Sequence, residues 1–323
     1  MFDNIDSERY VETMAGTFTH FIVCDAAKAN RKALPADLRK LLNRHSQFLF
    51  LGAVSPDLPY LSFKTGEVNW ADVMHYEHTN AIALNSHAAL KKAWPVGGAP
   101  VEIQLVWLMG HVSHLVTDAT IHPIVQAIVG SYEEHKDEHR ICEMTQDSLI
   151  YFDIKKTEIR YAEFSSILKF CQESPHIDTL VEFWAEQTVK AFSEKNEDPD
   201  PALWLETYSD AIDVAEGGSS IVALFRHIGT IREYTYNTRE EIVSMYPDRL
   251  RQFYQEIKLP TGATGSFRES GFNRAVTNVI AAWNALYTAL TANIAISSVV
   301  RDCNLDTGVD MDSRGGVVPY WMA

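Results

Sequence analysis

The chain has 323 residues, enough for one large domain or two smaller ones, and its 46% hydrophobic and 22% charged residues are typical of a soluble globular protein. A formal net charge of −15 argues against nucleic-acid binding through neutralisation of phosphates, so no stable nucleic-acid partner is expected. The four cysteines are widely scattered without a CxxC pair, which excludes a disulfide framework and indicates a reducing compartment.

The amino-terminal residues are acidic and lack a basic stretch followed by an apolar run, which is the pattern of a secretory signal. No run of about eighteen apolar residues predicts a membrane span. We therefore expect a cytoplasmic protein without a membrane-spanning helix.

Helical periodicity dominates the chain. In chain order, helices are predicted at about 9–29, 35–45, 77–92, 101–129, 131–151, 159–171, 177–194, 201–214, 219–234, 240–257 and 270–300. Loops rich in Gly, Pro or charge separate some of them, at 92–100, 193–201 and 258–271. The short apolar run FLFLGAV, at 48–54, is a candidate strand that continues into Pro56. The pattern as a whole predicts an all-α architecture.

One apolar helix carries an unusual stripe of polar side chains. In GHVSHLVTDATIHPIV, at 110–125, His114, Asp118 and His122 follow each other at intervals of four residues. This spacing places them on one face of a helix, with His111 at the edge of that face. Buried imidazole and carboxylate groups are costly unless they are hydrogen-bonded or bind a metal. A pair of hydrogen-bonded core histidines with a capping aspartate is one interpretation, but the stripe favours metal binding.

Other segments supply further metal-ligand side chains, each weak evidence by itself. His20 lies among apolar residues, where a lone histidine is usually a core residue, and Asp57 follows a Pro in a turn. His75 stands in VMHYEHTN, whereas His139 and Glu143 are four residues apart in a charged helix that is otherwise typical of a solvated face. Together they offer ligands for more than one ion. Imidazole with carboxylate suits zinc, and a carboxylate in the middle of the stripe is well placed to bridge two ions.

Five motifs in order resemble one known family: THFIV, FLGAVSPDLP, MHYEHTN, MGHVSHLVTDATIHP and HRICEMTQD. The chain is similar, over about 15–150, to the zinc-dependent phospholipase C family. That family belongs to a helical superfamily with bacterial phospholipase C and the fungal single-strand nucleases. The resemblance implies an all-α, single multi-helix domain over 1–323, with a metal cluster between helices. The metal-binding core is expected at about 15–150, a helical continuation at 151–300 and a tail at 301–323.

The resemblance also implies a set of ligands. One zinc would take Asp57, His75, His114 and Asp118, a second zinc would take His122, His139 and Glu143, and a third would take His20 and share Asp118, which bridges. In the secreted relatives an amino-terminal tryptophan completes the third site. No tryptophan precedes Trp70 in this sequence, so Asp25 or Cys24 would have to substitute.

The implied function is a zinc-dependent phosphoesterase that hydrolyses a phosphodiester by metal-activated water, with Asp57 as the base. Its substrate would be a phosphodiester or a phospholipid-like small molecule. Two or three zinc ions are expected, with iron or manganese as alternatives. Two other hypotheses remain open: a nuclease or nucleotidase on the same cluster, and a non-hydrolytic biosynthetic metalloenzyme or metal-binding scaffold.

Overall fold

A computed structural model describes residues 16–62, 66–217, 236–292, 294–313 and 316–322. Its helices are α1 (Thr17–Ala29), α2 (Ala36–Arg44), α3 (Ser46–Val54), α4 (Val68–Tyr76), α5 (Ala81–Ala93), α6 (Ala99–Val129), α7 (Lys136–Lys155), α8 (Phe164–Gln172), α9 (Ile177–Ala191), α10 (Pro201–Gly217), α11 (Arg239–Met245), α12 (Pro247–Leu250) and α13 (Asn273–Ala289). Single turns of 3₁₀-helix lie at Leu58–Leu61, Ile159–Tyr161 and Pro319–Trp321, and π-helical turns at Arg251–Gln255 and Phe267–Phe272. The all-α class predicted from the sequence is confirmed.

Helix α6 is the axis of the fold. Its 31 residues span about 46 Å at the usual rise of about 1.5 Å per residue. It begins after Gly98 and ends before Gly130, both at positive φ, where a residue without Cβ is favoured. The middle of the helix is buried on every side, because α1, α3, α5, α7, α9 and α13 all pack against it. This enclosure explains the nearly continuous apolar sequence of the helix.

Two glycines allow α3 to lie directly against α6. A Cβ built on Gly52 would collide with the carbonyl oxygen of Trp107, and a Cβ built on Gly110 would collide with the carbonyl oxygen of Leu49. The two backbones therefore touch without side chains between them. This close approach brings the carboxyl end of α3 to the polar stripe of α6.

The FLFLGAV segment is a helix rather than the candidate strand. It forms most of α3, and its side chains are buried from Phe48 to Val54 with the exception of the half-buried Phe50. An apolar run this short has no alternation that distinguishes a buried strand from a buried helix. Packing against α6 decides the outcome.

Several predicted boundaries also differ. Helix α4 was not predicted, and the helix expected at 77–92 begins only at Ala81. The helix expected at 270–300 is α13, which ends at Ala289. The helix expected at 240–257 is broken into α11, α12 and a π-helical turn. The helix expected at 219–234, and the start of the one expected at 9–29, lie outside the described residues.

The only regular sheet in the described ranges is a pair of two-residue strands. Strand β1 (Ile257–Lys258) pairs antiparallel with β2 (Thr264–Gly265), and Ile257 lies opposite Gly265. This hairpin begins one residue before the loop predicted at 258–271 and otherwise lies within it. Strand β1 packs against α6.

The described parts of the carboxyl-terminal segment, residues 294–313 and 316–322, return to the middle of the molecule. Leu305 N–H donates to the carbonyl of His75 at the end of α4 (3.0 Å), and Trp321 Nε1 donates to the carbonyl of Thr120 in α6 (2.8 Å). The proposed division into core, continuation and tail stays a prediction. In the parts of the chain that the structure describes, no helix combines the length and apolar character that crossing a bilayer requires.

Candidate metal centre

Four side chains converge at the carboxyl end of α3, and we call them the inner ligand group: Asp57, His75, His114 and Asp118. His75 Nε2 lies 3.2 Å from Asp57 Oδ1 and 3.3 Å from His114 Nε2. His114 Nε2 lies 3.0 Å from Asp118 Oδ2. All four residues are buried, and His114 has no exposed surface. The group joins a turn, α4 and α6, which are far apart in sequence.

Backbone carbonyls fix the orientation of the two imidazoles in this group. His75 Nδ1 donates to the carbonyl of Ala71 (2.8 Å), one turn earlier in α4. His114 Nδ1 donates to the carbonyl of Ala53 (2.9 Å), next to the glycine contact between α3 and α6. With the proton on Nδ1, each Nε2 presents its lone pair to the carboxylates. Lone pairs and negative oxygens facing one another require a cation between them.

The spacing within the inner ligand group fits zinc. Five of the six separations between its four ligand atoms lie between 3.0 and 3.8 Å, all except that between the two aspartates, and Asp57, His75 and His114 form a convergent set of three. A tetrahedron with metal–ligand bonds of about 2.0–2.1 Å has edges of about 3.3 Å. Two nitrogen and two oxygen ligands are also a donor set that zinc accepts. The residues present therefore fit the ion that their chemistry favours.

Asp118 faces two sides at once. Its Oδ2 belongs to the inner ligand group, whereas its Oδ1 lies 3.1 Å from His20 Nε2 and 3.6 Å from His122 Nε2. The ring of His20 stacks on that of His114 at 4.2 Å between centroids. His20, His114 and Asp118 form a second convergent set of possible ligands, and His20 Nδ1 is buried and has no hydrogen-bond partner among the described residues.

His122 and Glu143 form what we call the outer pair. His122 Nε2 lies 3.4 Å from Glu143 Oε1, and both side chains are slightly exposed. His139 lies nearby; its Nε2 donates to the carbonyl of Gly130 (2.7 Å), which leaves Nδ1 as its possible ligand atom, and its ring packs on Tyr132. Among the described residues, the ligand atoms of His122, Glu143 and His139 do not converge as closely as the two sets above.

The charges of the centre are strongly coupled. Burial opposes protonation of His75 and His122, but the carboxylates around them raise the pKa of each imidazole to about 9. Burial also disfavours an ionised Asp118, yet the charges of the surrounding imidazoles hold its pKa well below the usual range. For Glu143, burial dominates over the attraction of His122 and raises the pKa to about 7. Without metal, protons on the imidazoles thus provide the positive charge that the site requires.

The two substitutes suggested for the missing tryptophan do not lie in the cluster. Cys24 Sγ is 2.9 Å from Ser113 Oγ, and Asp25 is paired with Lys155 and Lys28. Cys24 shares a face of α1 with His20 but lies one turn further along the helix, at Ser113, and Asp25 is held in its ion pairs.

Asp147, which continues the spacing of His139 and Glu143 by one turn, is a buried carboxylate that holds α1 next to His20. Asp147 Oδ1 accepts hydrogen bonds from Thr19 N (2.9 Å) and Thr19 Oγ1 (2.5 Å), and Oδ2 accepts one from Tyr236 (3.2 Å). Burial raises the pKa of Asp147 to about 6, while these bonds lower it. Asp147 lies one turn beyond Glu143 in α7, so it ties His20 to the helix of the outer pair.

A second group outside the prediction comes from the carboxyl-terminal segment. His122 Nδ1 donates to the carbonyl of Leu305 (2.9 Å), and Asp306 Oδ1 lies 3.8 Å from the same nitrogen. Tyr76 donates its hydroxyl proton to Asp306 Oδ2 (2.8 Å). No motif or spacing marks Leu305 and Asp306, which lie more than 180 positions beyond His122.

His111, at the edge of the stripe, is not part of the cluster. Its Nδ1 donates to Ser55 Oγ (3.0 Å), because the Ser55 hydroxyl proton is donated to the carbonyl of Gly52. The ring stacks on Trp107, and its Nε2 is buried and finds no hydrogen-bond partner in the part of the chain that the structure describes. Burial lowers the pKa of His111 to about 3, with a smaller contribution from His114. His111 is a neutral core histidine.

Comparison with protein families matches residues 19–197, more than half of the chain, to the family described as zinc dependent phospholipase C. A search of curated proteins and a search of solved structures give no match. The matched range begins next to His20 and includes the inner ligand group and the outer pair. The match, the helical fold and the convergent histidines and aspartates agree with one another, and the chain belongs to the zinc-dependent phospholipase C family.

Proposed function

We propose that the chain is a zinc-dependent phosphoesterase that hydrolyses a phosphodiester. The observation that carries the proposal is the double-sided contact of Asp118. One of its oxygens faces the inner ligand group and the other faces His20 and the outer pair. A carboxylate between two sets of ligands is the arrangement that hydrolytic centres with two ions use.

Two zinc ions are proposed, one held by the inner ligand group and one by Asp118 with the outer pair and His139. His20 belongs to a third site that shares Asp118. Iron or manganese is compatible with the same donors. When bound, zinc neutralises charge on a phosphoryl group and brings the pKa of a coordinated water to about 7.

Asp57 is the proposed base. Burial raises the pKa of its carboxyl group, but the charge of His114 and the hydrogen bond from His75 lower the pKa by more. The net pKa is therefore below its usual value, and the group is ionised at neutral pH. Asp57 is 8% exposed, at the edge of an otherwise enclosed group. Only Oδ1 of Asp57 faces the two histidines of the inner ligand group, so Oδ2 would accept the proton of an attacking water, while the buried imidazoles exclude bulk water.

The substrate is proposed to be a small phosphodiester, of the phospholipid-like class in which the family is named. The formal charge of −15 disfavours a polyanionic nucleic acid as the substrate. A small diester has only one phosphate group, so this electrostatic repulsion is much smaller for it.

Hydrolysis of a chromogenic phosphocholine ester tests the proposal. The protein is assayed after zinc loading and again with chelator, beside single-stranded DNA as a competing substrate. We expect ester hydrolysis that chelator abolishes, and loss of activity in Asp57→Asn. The matched control is Asp25→Asn, which removes a charge at a surface ion pair of the same protein. Cleavage of DNA alone would favour a nuclease, and inactivity on both substrates with zinc retained would favour a scaffold or other chemistry; either result overturns the proposal.

A further inference from the structure

Residues 303–308 form a short loop against α4 and α6, the helices that carry His75 and His122. We call it the carboxyl-terminal loop. Leu305 N–H donates to the carbonyl of His75, which is itself in the inner ligand group. The carbonyl of the same Leu305 accepts the Nδ1 proton of His122. One peptide segment thus connects the inner ligand group with the outer pair.

The close approach of Gly308 to α6 and a hydrogen bond within the turn hold the loop in place. Gly308 has φ +65°, and a Cβ there would meet the carbonyl oxygen of Ala119 and Cγ of Pro123, each at 2.5 Å. Asn304 Oδ1 accepts the N–H of Thr307 and closes the turn (3.0 Å). The loop therefore lies directly on α6, within one turn of the two ligands Asp118 and His122.

The orientation of His122 depends on this loop. Its Nδ1–H is directed at Leu305, so its Nε2 is directed toward Glu143 (3.4 Å) and Asp118 (3.6 Å). A ligand histidine that donates its other N–H to an oxygen acceptor has a fixed tautomer and ring plane. For His75 and His114 that acceptor comes from neighbouring helical backbone, whereas for His122 it comes from the carboxyl-terminal loop.

Asp306 adds negative charge on the same side of the ring. Its Oδ1 lies 3.8 Å from His122 Nδ1, and its Oδ2 is anchored by the Tyr76 hydroxyl at 2.8 Å. Because it faces Nδ1 and not Nε2, Asp306 is not placed as a ligand of an ion held by the outer pair. A carboxylate at this position makes the imidazole a more electron-rich ligand.

We propose that Asp306 is a positioning residue of the metal centre. It acts through His122, with Tyr76 as its anchor and the Leu305 carbonyl as its partner. The inference rests on the metal sites of the proposed function but not on the reaction they catalyse. Residues 303–308, beyond the matched family range, thereby tune the affinity of the ion at the outer pair.

The test is a zinc titration of the metal-free protein in competition with a chromogenic chelator. Asp306→Asn keeps an oxygen able to accept from Tyr76 but removes the charge beside His122. We expect it to weaken the affinity for one zinc ion by about 10- to 100-fold and to leave the other unchanged. Tyr76→Phe, which frees the carboxylate without removing it, should weaken the same ion by less.

The matched control is Asp312→Asn, which removes the same charge from an exposed position in the same segment. It should bind zinc as the parent does. Thermal unfolding separates positioning from a merely structural role: Asp306→Asn should lower the Tm of the zinc-loaded protein by more than that of the metal-free protein. Parental zinc affinity in Asp306→Asn, or an equal fall of both Tm values, would overturn the inference.

The failure of this inference and that of the proposed function are distinguishable. A parent protein that binds zinc but hydrolyses no phosphodiester contradicts the proposed reaction only, and the titration of Asp306→Asn still decides the role of the loop. A parent protein that binds no zinc overturns both.

Discussion

Zinc binding should release protons, because the imidazoles of His75 and His122 are protonated in the metal-free protein. The carboxylates around His75 and His122 raise the pKa of both imidazoles to about 9 in the metal-free protein. At pH 7 both rings are therefore protonated on the nitrogen that faces Asp118. Zinc needs that nitrogen unprotonated, so binding must displace the proton.

The magnitude follows from the difference between the pKa and the pH. At pH 7 the pKa of each imidazole exceeds the pH by about two units. Removal of its proton therefore costs about 3 kcal/mol, which lowers the zinc affinity about 100-fold. An ion that displaces one proton should therefore bind about tenfold more tightly at pH 8 than at pH 7. If both sites are filled, about two protons should leave each chain at pH 7.

Isothermal titration calorimetry in buffers of different ionisation enthalpy measures the released protons directly. The observed heat should change linearly with the ionisation enthalpy of the buffer, and the slope gives the number of protons. Asp118→Asn provides the comparison, since without this carboxylate both imidazoles are less basic and fewer protons are displaced. Release of fewer than one proton per chain, with zinc fully bound, would refute the electrostatic reasoning.

Three further predictions concern single residues. Asp118→Asn offers one oxygen in place of two, so metal analysis of the folded variant should find at least one ion fewer per chain and no phosphoesterase activity; full occupancy would contradict a bridging role. His111 has a pKa of about 3 in the folded protein and 6.5 as its ordinary value, so the unfolded state alone takes up the proton between these values and stability is lost as pH falls below 6.5. Urea unfolding at pH 7 and pH 5 should show that the wild-type protein loses about 2 kcal/mol more than His111→Gln, and equal losses would count against a neutral buried ring. Gly110→Ala should lower the free energy of unfolding by about 1–3 kcal/mol, because its Cβ meets the backbone of α3, and an unchanged urea midpoint would show that the helices can separate.

The long central helix was predictable, and the reasons are local. Its apolar sequence runs without Pro or Gly from His111 to His122, and glycines stand at both ends, so the predicted 101–129 lies close to the observed Ala99–Val129. FLFLGAV was misjudged because its helical state is a consequence of packing on α6. The seven residues of this run contain no pattern that indicates their packing against α6.

The site was predictable where its geometry lies within one helix. A spacing of four residues places His114, Asp118 and His122 on one face whatever surrounds them. The contributions of Asp147 and Asp306 depend on which distant segments pack together, and neither spacing nor composition encodes that. The same limit explains why Cys24 and Asp25, close to His20 in sequence, are not close to the cluster in space.

The contact between α3 and α6 has a consequence for anyone who wishes to build this centre into another protein. Gly52 immediately precedes Ala53, whose carbonyl orients His114, so the distance between the two backbones also sets the direction of a ligand. Copying only the histidines and aspartates onto a helix pair of ordinary spacing, about 8–10 Å between axes, would leave that carbonyl out of reach. A transplanted centre must include the two glycines, which are residues without any chemistry of their own.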